Sequence, residues 1–155
     1  MRPRFLVDSM LGTLARWLRI TGFDAEYRRD ADDEDLLGEA EASGRVLLTK
    51  DRALTARAAK RSIRVLLVEG EGDSAQLGMV ARSLRLGLDP SNSRCPKCNG
   101  NLVRAEKKLI ADQVPEASLN AFEDFWVCED CGSVFWRGSH WSQIVSTLEK
   151  AAREV

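Results

Sequence analysis

The sequence has one histidine, His140, and nowhere a glycine-rich loop of the kind that cradles phosphates. With that histidine in the C-terminal part of the chain, serine and cysteine nucleophiles elsewhere have no imidazole base. The missing loop argues against nucleotide binding by backbone amides. Long apolar runs are absent too: stretches such as 65–68 are far too short to cross a bilayer, and no apolar segment follows Arg2 and Arg4. Neither a spanning helix nor a signal segment is expected, and the chain reads as cytoplasmic. No charge of one sign dominates. Residues 1–90 carry 15 Lys+Arg against 15 Asp+Glu, and residues 91–155 carry 8 against 9, for a net charge of −1. No whole domain is basic, so any nucleic-acid binding uses a local patch. The best patch by sequence is Lys50, Arg52, Arg57, Lys60, Arg61 and Arg64, which reads equally as a solvated helix face. There is no internal repeat and no low-complexity tract.

At 155 residues, 44% apolar and 30% charged, the chain is globular, one domain of ordinary size with room for a small appendage. "RFLVD" is a short β-type run, and "SMLGTLARWLRITG" follows with Leu11, Leu14, Ala15 and Leu18 at helical spacing, Ser9 as N-cap and Gly22 as stop. A weaker strand, "DAEYR", precedes an acid-rich helix that ends at Gly44. "RVLLT" and "DRALTARAAKR", then "IRVLLVEG" and "DSAQLGMVARSLRLGL", repeat the strand–helix alternation. In the last helix Leu77, Val80, Ala81, Leu84 and Leu88 form one stripe. Four such units predict an α/β fold, a parallel sheet with helices on both faces. Pro90 and the polar run after it mark a boundary, giving units 1–90 and 91–155. The second ends in a helix over about 139–153 that presents Ile144, Val145 and Leu148.

Acids gather where these strands end. Asp8 closes the first strand and Asp51 the third, Asp30, Asp32, Asp33, Glu34 and Asp35 open the helix after the second, and Glu69 follows the fourth. The carboxyl ends of parallel strands converge, so these carboxylates can share one cluster and a cation to hold it. Hard oxygen ligands suit Mg²⁺ or Mn²⁺ completed by phosphate oxygens, which makes a phosphodiester the natural substrate. The structural account is that Asp51 and Asp33 cap their helices. It explains Asp8 less well, because Ser9 is available as the cap and an acid ending a buried strand is costly. A dehalogenase-type phosphatase would need Asp-x-Asp where Asp8-Ser9-Met10 stands, and a receiver-type phosphoacceptor would need adjacent acids after its first strand.

The four cysteines form two Cys-x-x-Cys pairs, Cys95/Cys98 and Cys128/Cys131, separated by 29 residues. In a reducing compartment such pairs read as metal ligands, and four thiolates close a tetrahedral, structural Zn²⁺ site. In so small a unit the metal supplies much of the folding free energy. "RGSH", Arg137 to His140, follows the second pair. Arg137 is available to a phosphate, and His140 to RNA or to a leaving group as proton donor. Equally, Ser139 caps the last helix and His140 makes a local hydrogen bond. Trp126, Trp136 and Trp141 can stack on bases or pack the small unit against the large one.

Together "FLVDSMLGTLARWLRITGFDAEY", "DADDEDLL", "GRVLLTKDRAL", "CPKC", "CEDC" and "FWRGSHW" resemble, in order and over nearly the whole chain, the Mut-seven C-terminal RNase domain family. That resemblance implies a PIN-like nuclease domain fused to a zinc ribbon, with RNA as substrate. It also implies Asp8, Asp33 and Asp51 as ligands of a catalytic Mg²⁺ or Mn²⁺, with Asp30 and Asp32 as alternatives to Asp33. Thr49 would orient a bound water or a ligand carboxylate. For a fourth acid, Glu69 and Asp73 are candidates by position. Lys50, Arg52, Arg137 and His140 are the expected substrate contacts. The expected activity is a metal-dependent ribonuclease. A non-catalytic RNA- or protein-binding module, or a PIN-type toxin with a small antitoxin partner, are the alternatives.

Overall fold

The computed structural model describes residues 2–153. Four parallel strands, β1 (Phe5–Val7), β2 (Ala25–Tyr27), β3 (Val46–Thr49) and β4 (Val65–Leu67), form a sheet of order β2-β1-β3-β4. Strands β1 and β3 are buried throughout and read as unbroken apolar runs, the signature of a sheet covered on both faces. Successive side chains point to opposite faces. Phe5, Val7, Val46 and Leu48 meet helices α1 (Gly12–Ile20) and α4 (Asp73–Leu84), while Leu6 and Leu47 meet α2 (Asp33–Ser43) and α3 (Arg52–Lys60). The predicted α/β architecture is present.

Local chemistry moves two expected boundaries and leaves a third in place. Asp8, not Ser9, is the cap: its Oδ1 accepts from Ser9 N at 2.7 Å and opens a 3₁₀ turn over Ser9–Leu11, which delays α1 to Gly12. Gly22, at φ +86°, lies just past the end of α1, as expected of a helix stop. Helix α4 stops at Leu84 because Arg85 turns left-handed (φ 55°), so Leu88 leaves the helix while still packing on its core.

Between the cysteine pairs the stretch expected to be irregular contains β5 (Leu102–Ala105), α5 (Lys107–Ile110) and α6 (Glu116–Ala121). Strand β5 joins β6 (Phe125–Cys128) and β7 (Val134–Trp136) in an antiparallel sheet, with Ile110 and Val114 buried on Phe125. The last helix, α7 (Trp141–Arg153), returns to the main sheet and buries Leu148 and Ala151 in the core shared by α1 and α4. Among the described residues no helix is long and apolar enough to cross a membrane.

The ribbon docks on the edge of the main sheet through two buried polar side chains. Asn99, at φ +73°, accepts from Ala25 N of edge strand β2 (3.0 Å) and donates to Asp24 Oδ1 (2.7 Å) and Glu26 Oε1 (3.1 Å). From the other side, Arg19 donates to Ala25 O (2.8 Å) and to Pro96 O (2.9 Å). Burial alone would raise the carboxyl groups of Asp24 and Glu26. Hydrogen bonds from Arg45 and Asn99 to Asp24, and from Asn99 and Arg28 to Glu26, outweigh it and hold both below their usual range.

Asn99→Ala leaves the edge N–H and two carboxylates without this partner, so urea unfolding followed by tryptophan fluorescence should show a loss of about 1–3 kcal/mol. A loss within the ~0.5 kcal/mol typical of surface changes would mean that Asn99 does not hold the dock. The lowered carboxylates stabilise the fold above their unfolded values, 3.8 for Asp24 and 4.5 for Glu26. That contribution disappears as pH falls through the lower folded values. Asp24→Asn should therefore be less stable than the unaltered protein at neutral pH, and the gap should close as pH falls below 3.8 through the lowered folded value. A gap that stays constant with pH would contradict this.

Candidate functional site

The chain steps from β1 to β2 on one side and then crosses to β3 on the other, so strand order reverses between the carboxyl ends of β1 and β3. In open parallel sheets that crevice is where ligands bind. Asp8 and Thr49 end these two strands. Asp8 N donates to Leu48 O at 3.0 Å, extending the β1–β3 pairing by one residue and holding the two ends together.

A short hydrogen-bond chain connects the acids of this crevice. Thr49, with no exposed surface, donates from Oγ1 to Asp8 Oδ2 at 2.8 Å and accepts from Asp51 N at 3.0 Å. The Asp8 side chain is therefore aimed by Ser9 N on one oxygen and Thr49 Oγ1 on the other. Asp8 is only 9% exposed, and among the described residues no Lys or Arg pairs with it or with Asp51. Asp51 Oδ1 accepts from Ala53 N (2.8 Å) and Leu54 N (3.2 Å), capping α3, while Oδ2 takes no hydrogen bond from a described residue. A near-buried carboxylate with neutral donors only, joined through one hydroxyl to the backbone N–H of a second acidic residue, makes a site short of positive charge.

The other acids stand further out. Asp32 caps α2 by accepting from Asp35 N at 2.9 Å, and Asp33 at the next position is engaged by Arg57 Nη1 at 3.5 Å. Asp73 accepts from Trp17 Nε1 at 3.1 Å, and Asp30 and Glu69 are exposed. Asp8, Asp33 and Asp51 do not close into one tight ligand set. Among the described residues the only group of three or more Asp, Glu, His or Cys side chains with ligand atoms within 4.8 Å of one another is Cys95, Cys98, Cys128 and Cys131.

Those four sulfurs fit zinc. Sγ of Cys95 and Cys131 lie 3.7 Å apart and those of Cys98 and Cys128 3.4 Å, close to the ~3.8 Å that tetrahedral Zn–S bonds of about 2.3 Å require. Burial pushes the Cys98 thiol up to about 12, while the Ser133 hydroxyl draws Cys131 down to about 6. Four thiolates this close repel one another, and a divalent cation would supply the missing attraction.

The Mut7-C RNAse domain model matches residues 3–148, spanning the strand-end acids and the cysteine site alike. The chain belongs to this family. No curated protein and no solved structure matches it. For a member of the Mut7-C RNAse domain family a nuclease-like function is indicated.

Two expected substrate contacts, Lys50 and Arg52, are exposed on either side of Asp51. The wider basic patch is not free as expected: Arg57 pairs with Glu34 as well as Asp33, and Arg61 pairs with Glu34 (3.3 Å) and Glu41 (3.2 Å). The cause is the shared face of the sheet, which lays acidic α2 beside basic α3. Arg137 and His140 belong to the ribbon end, next to Trp141, and not to the strand ends. His140 acts through its backbone there, its carbonyl accepting the first amides of α7 from Gln143 (3.1 Å) and Ile144 (3.2 Å). Sequence reasoning missed Asn99 and Arg19. The one signal for Asn99 was its residue type directly after Cys98, since Asn tolerates the left-handed backbone such a turn needs.

Zinc analysis of the purified chain should give one ion per molecule, and Cys98→Ser should release it and lower the thermal midpoint. An unchanged midpoint in the zinc-free protein would mean that the thiols do not hold the ribbon together.

Proposed function

We propose that the protein is a metal-dependent ribonuclease whose carboxylates at the β1/β3 switch point hold Mg²⁺ or Mn²⁺ against an RNA phosphodiester. One observation carries the reading: Asp8 is nearly buried at the ligand-binding end of the sheet, without a cationic partner, and is joined through Thr49 to Asp51. Family membership names the reaction class that such a site serves.

The donor set fits the ion. Mg²⁺ keeps several waters and is usually held by one or two carboxylates plus substrate phosphates, so Asp8 and the free Oδ2 of Asp51 suffice as protein ligands. Asp33 joins from the start of α2 in exchange for its contact with Arg57. When bound, such an ion supplies charge for the phosphate and acidifies a coordinated water.

The chain's own residues then have separate roles. Thr49 keeps the Asp8 carboxylate in one orientation, so little rearrangement is needed on binding. Lys50 and Arg52 offer charge to phosphates flanking the scissile one. Arg137 and His140 bind RNA away from the reacting bond. A reducing, cytoplasmic setting belongs to the same reading, because the cysteines must remain thiolates to take zinc. A second reading, a non-catalytic RNA-binding module, is favoured by the capping bonds that Asp51 makes to α3.

End-labelled single-stranded and hairpin RNAs incubated with Mn²⁺, with Mg²⁺ or without added divalent ion distinguish the two. Cleavage should require the ion and fall at least about 100-fold in Asp8→Asn and Asp51→Asn, in line with loss of a group that stabilises transition-state charge. Both variants should stay folded, since Asn still accepts hydrogen bonds and caps a helix as well as Asp does. Full-rate cleavage in both would overturn the assignment. No cleavage by folded, zinc-loaded protein would favour the binding module.

A further inference from the structure

At the end of the sheet opposite Asp8, a cleft of about 550 Å³ opens between the ribbon, the C-terminal half of α1 and the start of α7. Its position follows from the chain: Arg2 precedes β1 and Gly22 precedes β2, so both lie at the amino ends of the strands. Helix α1, nine residues and about 14 Å long, separates this cleft from the strand-end carboxylates.

The lining is unlike the rest of the molecule. Arg2, Arg16, Arg94, Lys97 and Arg137 contribute to it, and no Asp or Glu does, in a chain whose acids slightly outnumber its bases. None of the five makes an ion pair with a described residue. Their hydrogen bonds go to neutral groups: Arg2 donates to Thr21 O and Gly22 O (3.3 Å each), and Arg94 to Asn99 O (3.0 Å). The acid just outside, Asp89, feels the charges of Arg2 and Arg137, but its carboxylate accepts from Ser91 N (3.0 Å) and Ser91 Oγ (2.8 Å).

Aromatic rings complete the wall. The Arg137 guanidinium stands 5.4 Å from the Trp126 ring centroid and 4.6 Å from that of Trp141, so two indoles hold a planar cation in place. Trp136 lines the same space. Unpaired cations beside indoles and a pre-oriented guanidinium are the elements that bind single-stranded nucleic acid, with phosphates on the cations and bases stacked on rings or on Arg planes. A cleft of this volume admits splayed nucleotides and not a double helix.

We propose that this cleft is a second RNA site, which holds a single-stranded segment of the substrate several nucleotides from the carboxylates. The site rests on the reading of RNA as substrate, but not on cleavage. It accounts for the distance of Arg137 from Asp8, and it makes the ribbon a device for selecting unpaired RNA.

The test is fluorescence anisotropy of a labelled single-stranded RNA of about 12 nucleotides, titrated with full-length zinc-loaded Asp8→Asn protein without Mg²⁺ or Mn²⁺. In that background Arg16→Glu and Lys97→Glu, both at exposed positions, should each weaken binding at least about 10-fold and flatten its salt dependence. Lys150→Glu, an exposed reversal on α7 that does not line the cleft, should leave affinity within about 2-fold. A hairpin without single-stranded tails should compete poorly. Unchanged affinity in both cleft variants, or equal weakening by Lys150→Glu, would overturn the proposal, whether or not the protein cleaves RNA.

Discussion

The pairing of β1 with β3 is the constraint on which the rest of the molecule depends. Phe5, Leu6 and Val7 have no exposed surface, and their strand lies between β2 and β3 with helices on both faces. A chain that leaves such a strand must emerge at its carboxyl end, and the first residue to do so is an acid. Asp8 is consequently placed in a crevice poor in water, where a carboxylate is tolerated only if its oxygens are satisfied. Ser9 N and Thr49 Oγ1 satisfy them, and the second donor exists only because β3 runs alongside in register. The same pairing that completes the core thus builds the link to Asp51.

The ribbon is fixed by a different kind of force. Its own apolar cluster around Phe125 is small, and cysteine sulfurs replace the core that so short a unit lacks. The turn that brings Cys95 and Cys98 together also throws Asn99 against β2, where it covers a sheet edge that would otherwise be open to pairing. Arg19 reaches across from α1 to Pro96 in the same turn. Metal site and docking site are therefore one structural feature, and the return of α7 to the main core closes the connection at its far end.

A net charge near zero conceals a polarity along the fold. Among the described residues Asp8 and Asp51, without an ion-pair partner, lie at the carboxyl ends of the strands, whereas the arginines and lysine that line the cleft, likewise without a described ion-pair partner, collect toward the amino ends. In the proposed reading, RNA anchored by cations at one end presents a phosphate to the carboxylates at the other through a bridging ion, so that anchoring and chemistry fall on separate surfaces. The pairs Arg57–Asp33 and Arg61–Glu41, on the face between α2 and α3, remove charge from a patch that looked basic when α3 was considered alone.

The four strand–helix units, the acids at their ends and the paired thiols were legible in the sequence alone. Each is written in local spacing: apolar runs of strand length, stripes of helical period, Cys-x-x-Cys turns. The family resemblance added Thr49, with a carboxylate as one of its two expected partners, and the hydroxyl does donate to Asp8. The folded chain was needed to reveal that Asp8 caps its own 3₁₀ turn, that Asp33 faces Arg57, that Asn99 covers the edge of β2, and that Arg2, Arg16 and Arg137 share a cleft with three tryptophans. Apart from the Asp8 cap, these contacts join residues that are tens of positions apart, through side chains whose direction is set by helix packing and strand order. No periodicity in the chain encodes such meetings, because they come into being only when the faces of separate elements are brought together.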